Sequence, residues 1–446
     1  MSAVANVEQL FAEHLDRVGW GGPQLRVERR QGLRRLVGIA RQRSRWYRDR
    51  LAGIDADLVT ERQLPRIRPM TKDDLMEHFD DIVTDPRVSR RLAESHLATR
   101  DPADPVLGRY RIFASGGSSG RRGVFVYDWV SLLTCGVVSV RFSVRDELRT
   151  GGIVPGVRAV IVSPDPWHLS AAVGSLFRSP DGESRIFSAT TPRDELVAQL
   201  NRALPSALVG YPSVIYALAN EARAGRLTIA PRSVVTNSEP LFPEMREAFE
   251  QVWGSRVGNV YGTSEGASAA SCGEGVGLHL NEDVCIFELI NADGEPARPG
   301  QRAVRLYVTN LYNLVQPLIR YEIDDEVTVL DGPCPCGSHM RRVADVQGRV
   351  DEAFVYARGL VVHPTVFRSV LGKQPNVTEY QVRQTPTGAS IAIRTDGPAD
   401  VVVLRGLIAT ALTQAGLHDP AVKIVPVETI ERSGVGKLKR FIPLPP

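Results

Sequence analysis

Cysteine is scarce in this chain, with only five residues among 446. So few cysteines, in an odd number, do not form the disulfide framework of a small secreted protein, which leaves metal binding or plain burial. Long apolar runs are also absent: no stretch of about 18 residues is apolar, and the first residues lack the basic region and apolar core of a signal peptide. We therefore expect a cytoplasmic protein without a membrane segment.

The net charge is small as well. The chain carries 54 Lys and Arg against 51 Asp and Glu, a formal charge of +3 at pH 7. A field strong enough to attract nucleic acid or a membrane surface does not follow from so small a charge. With 43% hydrophobic and 24% charged residues, the composition is that of a globular chain with a large core, and the length predicts two or three domains.

The first hundred residues have a helical pattern with many arginines. Apolar residues recur at helical spacing between 33 and 40, and ten arginines crowd residues 26–50. A surface for RNA or for an acidic carrier protein is one interpretation. Solvated arginines on an amphipathic helix are commoner, and we adopt that interpretation. Thr71, followed by acidic residues, predicts a capped helix.

Between residues 158 and 266, short apolar runs alternate with amphipathic segments. The apolar runs are 158–163, 185–188, 207–213, 233–237 and 256–260, and residues 193–203 have the pattern of an intervening helix. Alternation of this kind predicts an α/β fold with a largely parallel sheet flanked by helices. Ligands in such sheets bind at the carboxyl ends of the strands, where the loops begin.

A glycine- and serine-rich stretch, FASGGSSGRRG at 113–123, suits a loop around phosphate groups. Its glycines let backbone amides turn inward, its serines add hydroxyl donors, and Arg121 and Arg122 add positive charge. It is not the P-loop of NTPases, because no Gly-Lys-Ser/Thr follows the glycines and no strand–loop–helix pattern frames it. An ordinary flexible loop has the same composition, so the stretch needs support from other motifs.

The run YGTSEG at 261–266 follows a predicted strand and has the residue types that ATP needs. Tyr261 offers a flat ring to a nucleobase, Thr263 a hydroxyl to a phosphate, and Glu265 a hard oxygen to Mg²⁺. The alternative is an ordinary turn with Glu265 in solvent. The run SEP at 238–240, after another predicted strand, occupies the same kind of position.

Five motifs recur in this order in adenylate-forming enzymes, and the chain resembles the phenylacetate-CoA ligase branch of that superfamily. The motifs are the glycine-rich stretch, YGTSE at 261–265, PLIRY at 317–321, GRVDE at 348–352 and a C-terminal Gly-Lys at 436–437. Features of the branch itself are RWYRDRL at 45–51, MTKDDL at 70–75, GLH at 277–279 and CPCG at 334–337. The resemblance covers nearly the whole chain.

The resemblance implies two domains. A large N-terminal domain at 1–350, with a helical lead-in at about 1–100, would bind the nucleotide and the acid. A small, mobile α+β domain at 351–446 would act as a lid that carries the catalytic lysine. Asp351 would be the hinge about which this lid rotates between two half-reactions.

The resemblance also implies a role for each residue of the nucleotide site. Asp325 would bind both ribose hydroxyls, which suits the acceptors of one carboxylate. Thr263 would contact the α-phosphate and act in catalysis with Glu265, the Mg²⁺ ligand, while Tyr261 would lie against the adenine. The other implied residues are Ser115, Gly116, Gly117, Ser118, Ser119 and Gly120 at the β- and γ-phosphates, Ser238, Glu239 and Pro240 beside the adenine, and Gly262 and Arg349.

Lys437 would be the catalytic cation of adenylation. A carboxylate that attacks the α-phosphate of ATP brings two anions together, and a positioned cation with Mg²⁺ offsets their repulsion. Lys439 is close enough in sequence to compete, and a solvated basic tail is the alternative for both. The spacing after the glycines favours Lys437. After rotation about Asp351, Gly359 would let a pantetheine thiol pass close to the backbone.

The resemblance gives the scarce cysteines a role as ligands of a structural zinc ion. The implied ligands are Cys272, His279, Cys334 and Cys336. Three thiolates and one imidazole suit a tetrahedral site, but the Cys-x-Cys spacing is shorter than usual. From the spacing alone, two buried cysteines and an unrelated turn stay open as the alternative. Cys135 and Cys285 lie in apolar runs, where cysteines are usually core residues.

The chain departs from the superfamily pattern at three places. Arg121 and Arg122 stand where many relatives have a lysine after the phosphate loop, which keeps the charge but changes its geometry. The run RYEIDD at 320–325 replaces the usual RYRTGD and adds two carboxylates beside the ribose site. Val361 replaces a polar asparagine, which bears on the thiol acceptor more than on adenylation.

We therefore expect an AMP-forming acid ligase that activates a carboxylic acid, expected to be aromatic, with ATP and Mg²⁺. The acceptor would be a thiol, either CoA or the pantetheine of a carrier protein acting in trans. The alternatives are a ligase of secondary metabolism that transfers to an amine or another nucleophile, and a nucleotide-binding protein without turnover. Nucleic acid and membranes are not expected partners, and the oligomeric state stays open, a homodimer included.

Overall fold

The computed structural model of the chain describes most of its residues. The described ranges are 3–99, 105–115, 123–152, 155–162, 167–176, 184–346, 354–362, 364–371, 374, 376–395, 397–432 and 438–444. Within these ranges, no helix combines the length and the apolar character that a membrane crossing requires.

The first hundred residues form helices, as their spacing predicts. The helices are α1 (Ala3–Asp16), α2 (Gly22–Arg43), α3 (Arg45–Arg50), α4 (Lys72–Glu77), α5 (Phe79–Ile82) and α6 (Arg90–Thr99), with 3-10 helices at Arg17–Gly19 and Glu61–Arg66. α2 buries Leu33, Leu36 and Val37 along one stripe. Thr71 caps α4, because its hydroxyl accepts a hydrogen bond from the Asp74 N–H at 3.1 Å.

The glycine-rich stretch connects two antiparallel strands, β1 (Tyr110–Ala114) and β2 (Val124–Asp128). At its base, the Ser115 N–H donates to the Gly123 carbonyl at 2.9 Å, and the Gly123 N–H donates to the Ser115 hydroxyl at 2.8 Å. Residues 116–122 lie outside the described ranges. A strand–loop–strand frame agrees with the inference that this is not the P-loop of NTPases.

An eight-stranded sheet is the centre of the fold, and five adjacent strands of it are parallel. The parallel strands are β3 (Arg158–Val162), β4 (Ser184–Ser188), β5 (Ala207–Gly210), β6 (Ser233–Asn237) and β7 (Arg256–Gly262). The helices that flank them are α7 (Trp129–Arg149), α8 (Leu169–Leu176), α9 (Arg193–Ala203), α10 (Pro212–Arg223) and α11 (Pro243–Trp253). The predicted α/β class with a parallel-rich sheet flanked by helices is confirmed.

Side chains alternate between the two faces of this sheet. Ala159 and Ile161 of β3 join the apolar cluster that α9, α10 and α11 cover. Val160 and Val162 point to the opposite face, where α7 and α8 lie. Because successive side chains of a strand point to opposite faces, one short strand supplies both layers.

Antiparallel strands complete the N-terminal part. The large sheet continues through β8 (Ser268–Ala270), β9 (Leu278–Leu280) and β15 (Arg342–Val343); a second sheet holds β10 (Cys285–Ile290), β12 (Arg305–Asn310) and β13 (Tyr321–Ile323); and β11 (Arg302–Ala303) pairs with β14 (Val327–Thr328). Tyr47 fixes the N-terminal helices to these sheets. Its buried hydroxyl donates to the Pro317 carbonyl and accepts from the Ile319 N–H, both at 3.0 Å.

The residues from 354 onward share an apolar cluster of their own, which includes Phe354, Ile391, Ile408 and Phe441. The strands are β16 (Phe354–Val355), β17 (Val361–Val362), β18 (Val377–Thr385), β19 (Gly388–Thr395), β20 (Ala421–Pro426) and β21 (Phe441–Ile442), with helices α12 (Thr365–Leu371) and α13 (Val401–Gln414). The predicted domain boundary at 350/351 falls in residues 347–353, outside the described ranges, and stays a prediction.

A buried ion pair ties α7 to the residues after β9. The Arg141 guanidinium donates to both Asp283 oxygens, at 2.5 and 2.7 Å, and to the Asn281 amide oxygen. Burial alone would raise the pKa of Asp283, but the charge and hydrogen bonds of Arg141 hold it well below its usual range. His14 of α1 lies 3.6 Å from the same carboxylate. Burial lowers the pKa of His14; Asp283 opposes this shift, and Arg141 and Arg17 add to it.

We expect the folded state to lose stability as the pH falls below about 6.5, because His14 resists protonation in its buried position. The unfolded chain then binds more protons at this site, so the free energy of unfolding falls by at most about 1.4 kcal/mol per pH unit. Melting temperatures between about pH 5 and pH 8 measure the slope, and His14→Gln is expected to flatten it. An unchanged slope in the variant would assign the effect to other groups.

Candidate active site and metal centre

The loops after β6 and β7 bring the predicted nucleotide-binding residues to one edge of the sheet. Ser238, Glu239 and Pro240 follow β6, and the run 261–266 begins in the last residues of β7. Because β6 and β7 are parallel neighbours, their carboxyl ends lie side by side. Ser238 has a φ of +65°, a left-handed conformation that is uncommon outside glycine.

Tyr261 and Asp325 are joined directly. The Tyr261 hydroxyl donates to Asp325 Oδ2 at 2.6 Å, and Asp325 is only 4% exposed. This charge-assisted hydrogen bond fixes the carboxylate beside the tyrosine. Of the two additional carboxylates expected beside the ribose site, Glu322 forms an ion pair with Arg305 at 2.9 Å and Asp324 is exposed. The buried carboxylate of this run is therefore that of Asp325.

Three side chains from elsewhere in the chain brace the loop 263–266. Each donates a hydrogen bond to a main-chain carbonyl: Tyr127 to residue 264 at 2.9 Å, Asn310 to residue 265 at 3.0 Å, and Tyr312 to residue 266 at 2.9 Å. Burial raises the pKa of both tyrosines well above 10, so they stay protonated donors. Gly266 has a φ of +88°, and a Cβ there would lie 2.2 Å from the Asn310 amide nitrogen.

The Thr263 hydroxyl has no hydrogen-bond partner among the described residues, although its Oγ1 is buried. The backbone of the residue is fixed, since its N–H donates to the Ala267 carbonyl at 2.9 Å. A buried polar atom without a partner costs about 1–3 kcal/mol, a cost that a bound ligand would remove. Glu265 lies half-buried two residues further along the same turn.

The Glu239 carboxylate contacts the C-terminal part of the chain. Its Oε1 accepts a hydrogen bond from the Leu438 N–H at 2.9 Å, and its Oε2 accepts one from the Ser213 N–H at 3.1 Å. Leu438 directly follows Lys437, which lies outside the described residues. The loop after β6 therefore holds the segment that carries the predicted lysine.

Arginines reinforce this junction. Arg432 donates to the Glu379 carboxylate at 2.5 Å, and Arg193 of α9 lies 3.5 Å from the same carboxylate, which is 4% exposed. The guanidinium of Arg440 lies over the ring of Phe242, 5.1 Å from its centroid. Residues after 354 thus contact Arg193 of α9 and Phe242, which directly precedes α11.

The remaining predicted site residues are partly outside the description. Those outside are Gly116, Gly117, Ser118, Ser119, Gly120, Arg349, Asp351 and Lys437. Ser115 lies at the base of the hairpin loop. Gly359 lies in an exposed turn with a φ of +75°, and a Cβ there would meet nothing within 4 Å. Backbone conformation, rather than crowding, favours glycine at this position.

A cavity of about 180 Å³, here called the slot, separates the parallel strands from α7 and α8. Its lining includes Val160, Val235 and Val260 from the sheet and Ser139, Val140 and Ser143 from α7. Gly262 and Thr263 line one end, next to the tyrosine that holds Asp325. Thr263, whose hydroxyl has no hydrogen-bond partner among the described residues, therefore belongs to the wall of the slot.

The four predicted zinc ligands come together at the antiparallel end of the large sheet. Cys272, His279, Cys334 and Cys336 each place one ligand atom within 4.8 Å of the others. The sulfurs of Cys272 and Cys334 are 3.5 Å apart, and the Cys336 sulfur is 3.5 Å from His279 Nε2. Ligands of one tetrahedral zinc ion, at about 2.0–2.3 Å from it, are roughly 3.3–3.8 Å apart. The two pairs at 3.5 Å match this spacing, and three sulfurs with one imidazole nitrogen are a donor set that suits zinc.

Contacts outside the cluster orient His279. Its Nδ1 lies 3.2 Å from the Met340 carbonyl oxygen, which leaves Nε2 to face the cysteines. Phe142 of α7 stacks on the imidazole with ring centroids 4.7 Å apart. Hydrogen bonding between Cys272 and Cys336 lowers the pKa of Cys272 and raises that of Cys336, so Cys272 loses its proton first. The thiolate is the form that binds a metal ion.

The other two cysteines are core residues, as predicted. Cys135 and Cys285 are 5% and 0% exposed. Burial raises the pKa of Cys135 to about 11 and that of Cys285 well above 9. Both thiols therefore stay protonated, which suits packing rather than metal binding.

Two curated proteins are similar to the chain in sequence. Phenylacetate-coenzyme A ligase of Thermus thermophilus is 26% identical over 399 residues, which cover 86% of this chain and 81% of that protein. Protein CapK of Staphylococcus aureus is 24% identical over 353 residues, which cover 76% of this chain and 70% of that protein. The chain is a homologue of phenylacetate-CoA ligase. No protein-family profile matches it.

Several solved structures share the fold of this chain. 2-Hydroxyisobutyryl-CoA ligase, in the postadenylation state with R3-HIB-AMP, has a TM-score of 0.73 at 18% identity, over 96% of this chain and 91% of that chain. ATP-bound MatB from Rhodopseudomonas palustris has a TM-score of 0.53 at 17% identity, over 73% and 65%. The amide bond synthetase McbA from Marinactinospora thermotolerans has a TM-score of 0.52 at 18% identity, over 74% and 67%. This chain therefore has the fold of adenylate-forming ligases.

The sequence did not reveal the residues that support the candidate site of this chain. Tyr127, Asn310 and Tyr312 brace the loop 263–266 from 137, 45 and 46 residues away. No local motif marks such distant donors. The one available signal was Gly266, because a glycine at the end of a motif can mark a tight turn or the close approach of other groups.

Proposed function

We propose that this chain is an AMP-forming acid ligase, which activates a carboxylic acid with ATP as an acyl-adenylate and transfers the acyl group to a thiol. The observation that carries the proposal is the buried Thr263 hydroxyl in the wall of the slot, which has no hydrogen-bond partner among the described residues. Beside it lies the Tyr261–Asp325 pair. An acid in the slot and a nucleotide held by Asp325 would bring their reacting atoms to this hydroxyl. Homology to phenylacetate-CoA ligase supports the same reaction.

The first half-reaction joins the acid to AMP. An oxygen of the carboxylate attacks the α-phosphorus, the bond from that phosphorus to the bridging oxygen breaks, and pyrophosphate leaves. Asp325 would hold the ribose, and Thr263 would donate to the α-phosphate as its charge grows. Mg²⁺, bound by Glu265, would offset the charge of the phosphates. Lys437 would supply the second positive charge.

The second half-reaction transfers the acyl group. A thiolate sulfur attacks the acyl carbon, the bond to the phosphate oxygen breaks, and AMP leaves. Rotation about Asp351 would remove Lys437 and bring Gly359 to the site, where the turn leaves room for a thiol. We propose CoA or the pantetheine of a carrier protein as acceptor. A structural neighbour of this chain binds CoA in the thioesterification state.

We also propose a structural zinc ion held by Cys272, His279, Cys334 and Cys336. The support is the gathering of three sulfurs and one imidazole nitrogen within 4.8 Å of one another, with two of the pairs 3.5 Å apart. The ion would fix the loop 330–340 to the end of the sheet. The two-domain arrangement, a cytoplasmic location and a homodimer also remain proposals.

ATP–pyrophosphate exchange over a panel of aryl, arylacetic and aliphatic acids tests the proposed reaction. Exchange with an acid, followed by a CoA thioester in the mass spectrum when CoA is added, would support it. Exchange without a thioester, but with an amide when amines are supplied, would favour the amine acceptor. ATP binding without exchange by any acid would contradict the ligase and leave a nucleotide-binding protein.

We expect Glu239→Ala to slow adenylation about tenfold, because the Leu438 N–H then loses the acceptor that holds the segment beside Lys437. Glu239→Gln keeps an acceptor oxygen and is expected to lose less. Pyrophosphate exchange measures the first step, and AMP release from a supplied acyl-adenylate with CoA measures the second. An equal loss in both steps would indicate general damage to the site.

A further inference from the structure

The slot continues into a polar chamber that the proposed adenylation chemistry does not use. An adjoining cavity of about 50 Å³ shares Ser139, Ser143 and Val235 with the slot and is also lined by Glu147. This volume holds one or two groups of the size of water. The two cavities share these walls, and the space that they line between Thr263 and Glu147 is here called the passage.

α7 gives this passage its length. The stripe that faces it consists of Cys135, Ser139, Ser143 and Glu147, spaced four residues apart along the helix. From Cys135 to Ser143 the helix rises about 12 Å. The passage is therefore long enough for an extended acid rather than a compact one.

Contacts at the two ends of α7 give the passage its direction. Tyr127, just before α7 begins, donates to the carbonyl of residue 264 at 2.9 Å, so the start of the helix lies at the nucleotide end. Arg256, the first residue of β7, pairs with Asp146 near the end of the helix at 2.8 Å. Glu147 therefore lies at the end of the passage that is remote from the reacting atoms.

Glu147 is buried with one oxygen that lacks a hydrogen-bond partner among the described residues. The residue is 6% exposed, and Oε2 is the unpartnered oxygen. Oε1 lies 3.9 Å from the Arg158 guanidinium, beyond hydrogen-bond distance. Arg158 thus offsets the charge of the carboxylate without occupying Oε2. Less than 1 Å² of Oε2 is accessible, so a donor that enters from the slot would reach it after a small shift of the Glu147 side chain and would then remove a cost of about 1–3 kcal/mol.

We propose that the slot takes an elongated carboxylic acid whose far end carries a neutral hydrogen-bond donor, such as a hydroxyl group, accepted by Glu147. This inference rests on the proposed function, which places the carboxylate of the acid at Thr263. A neutral donor suits the site better than an ammonium group, because the positive charge near Glu147 is already in excess: Arg158 lies 3.9 Å from it, and Arg232 and the Asp146-paired Arg256 line the same chamber. The valine and serine walls do not require an aromatic ring.

Paired acids that differ only at the far end test this proposal. ATP–pyrophosphate exchange by the full chain is measured with straight-chain acids of about six to twelve carbons that end in a hydroxyl, a methyl or an ammonium group. At the length that fills the passage, kcat/KM is expected to favour the hydroxyl-ended acid by about 10–100-fold. Equal values for all three ends at every length would overturn the proposal and leave a buried water as the partner of Glu147.

Variants at Glu147 separate recognition from general damage. Glu147→Leu is expected to abolish the preference for the hydroxyl and to raise kcat/KM for the methyl-ended acid, while Glu147→Gln keeps an acceptor and most of the preference. Glu250→Leu, the same change at an exposed position of α11, is the matched control and should change neither. A preference that survives Glu147→Leu would also overturn the proposal. If the leucine variant does not fold, the paired acids on the unmodified chain decide.

The exchange assay distinguishes failure of the Glu147 proposal from failure of the proposed ligase activity. Exchange with several acids but no effect of the far end would leave the ligase and remove the role of Glu147. The absence of exchange with every acid would contradict the proposed ligase and remove the inference that rests on it.

Discussion

Replacing Lys437 with alanine is expected to lower the rate of acyl-adenylate formation at least about 100-fold, the usual effect of removing one group that stabilises the charge of a transition state. The reacting carboxylate and the α-phosphate are both anionic, so the barrier depends on the positive charge placed between them. The main chain beside Lys437 is anchored, since the Leu438 N–H donates to Glu239 at 2.9 Å. Pyrophosphate exchange with the preferred acid measures the loss.

The second half-reaction provides the discriminating measurement for Lys437→Ala. AMP release from a supplied acyl-adenylate should stay within about twofold of the unmodified chain, because in the proposed reaction the lysine would leave the site before the thiol attacks. Lys439→Ala is the matched control, because it removes a lysine two residues away and keeps the main-chain carbonyl that accepts a hydrogen bond from the Gln381 amide at 3.0 Å. An equal loss of both half-reactions in Lys437→Ala, or a larger loss in Lys439→Ala, would contradict the assignment.

The sequence predicted the parallel half of the large sheet well, because its strands are short apolar runs between turns. β6 occupies Ser233–Asn237 and α9 occupies Arg193–Ala203, the same bounds as the patterns that predicted them. The antiparallel half was not predicted. β8 and β9 have three residues each and β15 has two, too few for any period to be visible.

The candidate site was predictable where a motif is local and unpredictable where two distant residues meet. The order of residues indicated that Tyr261 and Asp325 both belong to a nucleotide site, but not that the hydroxyl of one binds the carboxylate of the other, 64 residues away. Glu239 was expected beside the adenine, and its link to Leu438, 199 residues away, has no signature in either segment. Pairings of this kind depend on how elements pack, which a one-dimensional pattern does not contain.

For the four proposed zinc ligands, sequence spacing and strand pairing together explain what neither explains alone. Sequence spacing alone left the Cys-x-Cys turn open to another explanation, because no rule connects it to Cys272 and His279. The pairing of β9 with β15 brings His279 opposite Arg342, six residues after Cys336. The strand pairing alone thus places His279 close to the Cys334–Cys336 turn, without a contribution from a metal ion.

Replacing both Cys334 and Cys336 with serine is expected to release one zinc ion per chain and to lower the melting temperature by about 10 °C, since structural zinc contributes several kcal/mol to folding. Elemental analysis and thermal unfolding of purified protein measure the two effects. Cys135→Ala, which removes a buried thiol outside the cluster, should keep the metal. The absence of zinc from the unmodified protein would remove the proposal.

Loss of this metal should also change the shape of the slot. Phe142 stacks on His279, and it belongs to α7, the helix whose Ser139 and Ser143 line the cavity. A helix that loses one of its packing partners is positioned less firmly, and the slot depends on that position. Asp325 and Tyr261 are not among the four ligands, and the hydrogen bond between them is expected to persist. In the double serine variant, KM for the acid should therefore rise severalfold more than KM for ATP; an equal rise in both would indicate that the metal stabilises the fold without positioning α7.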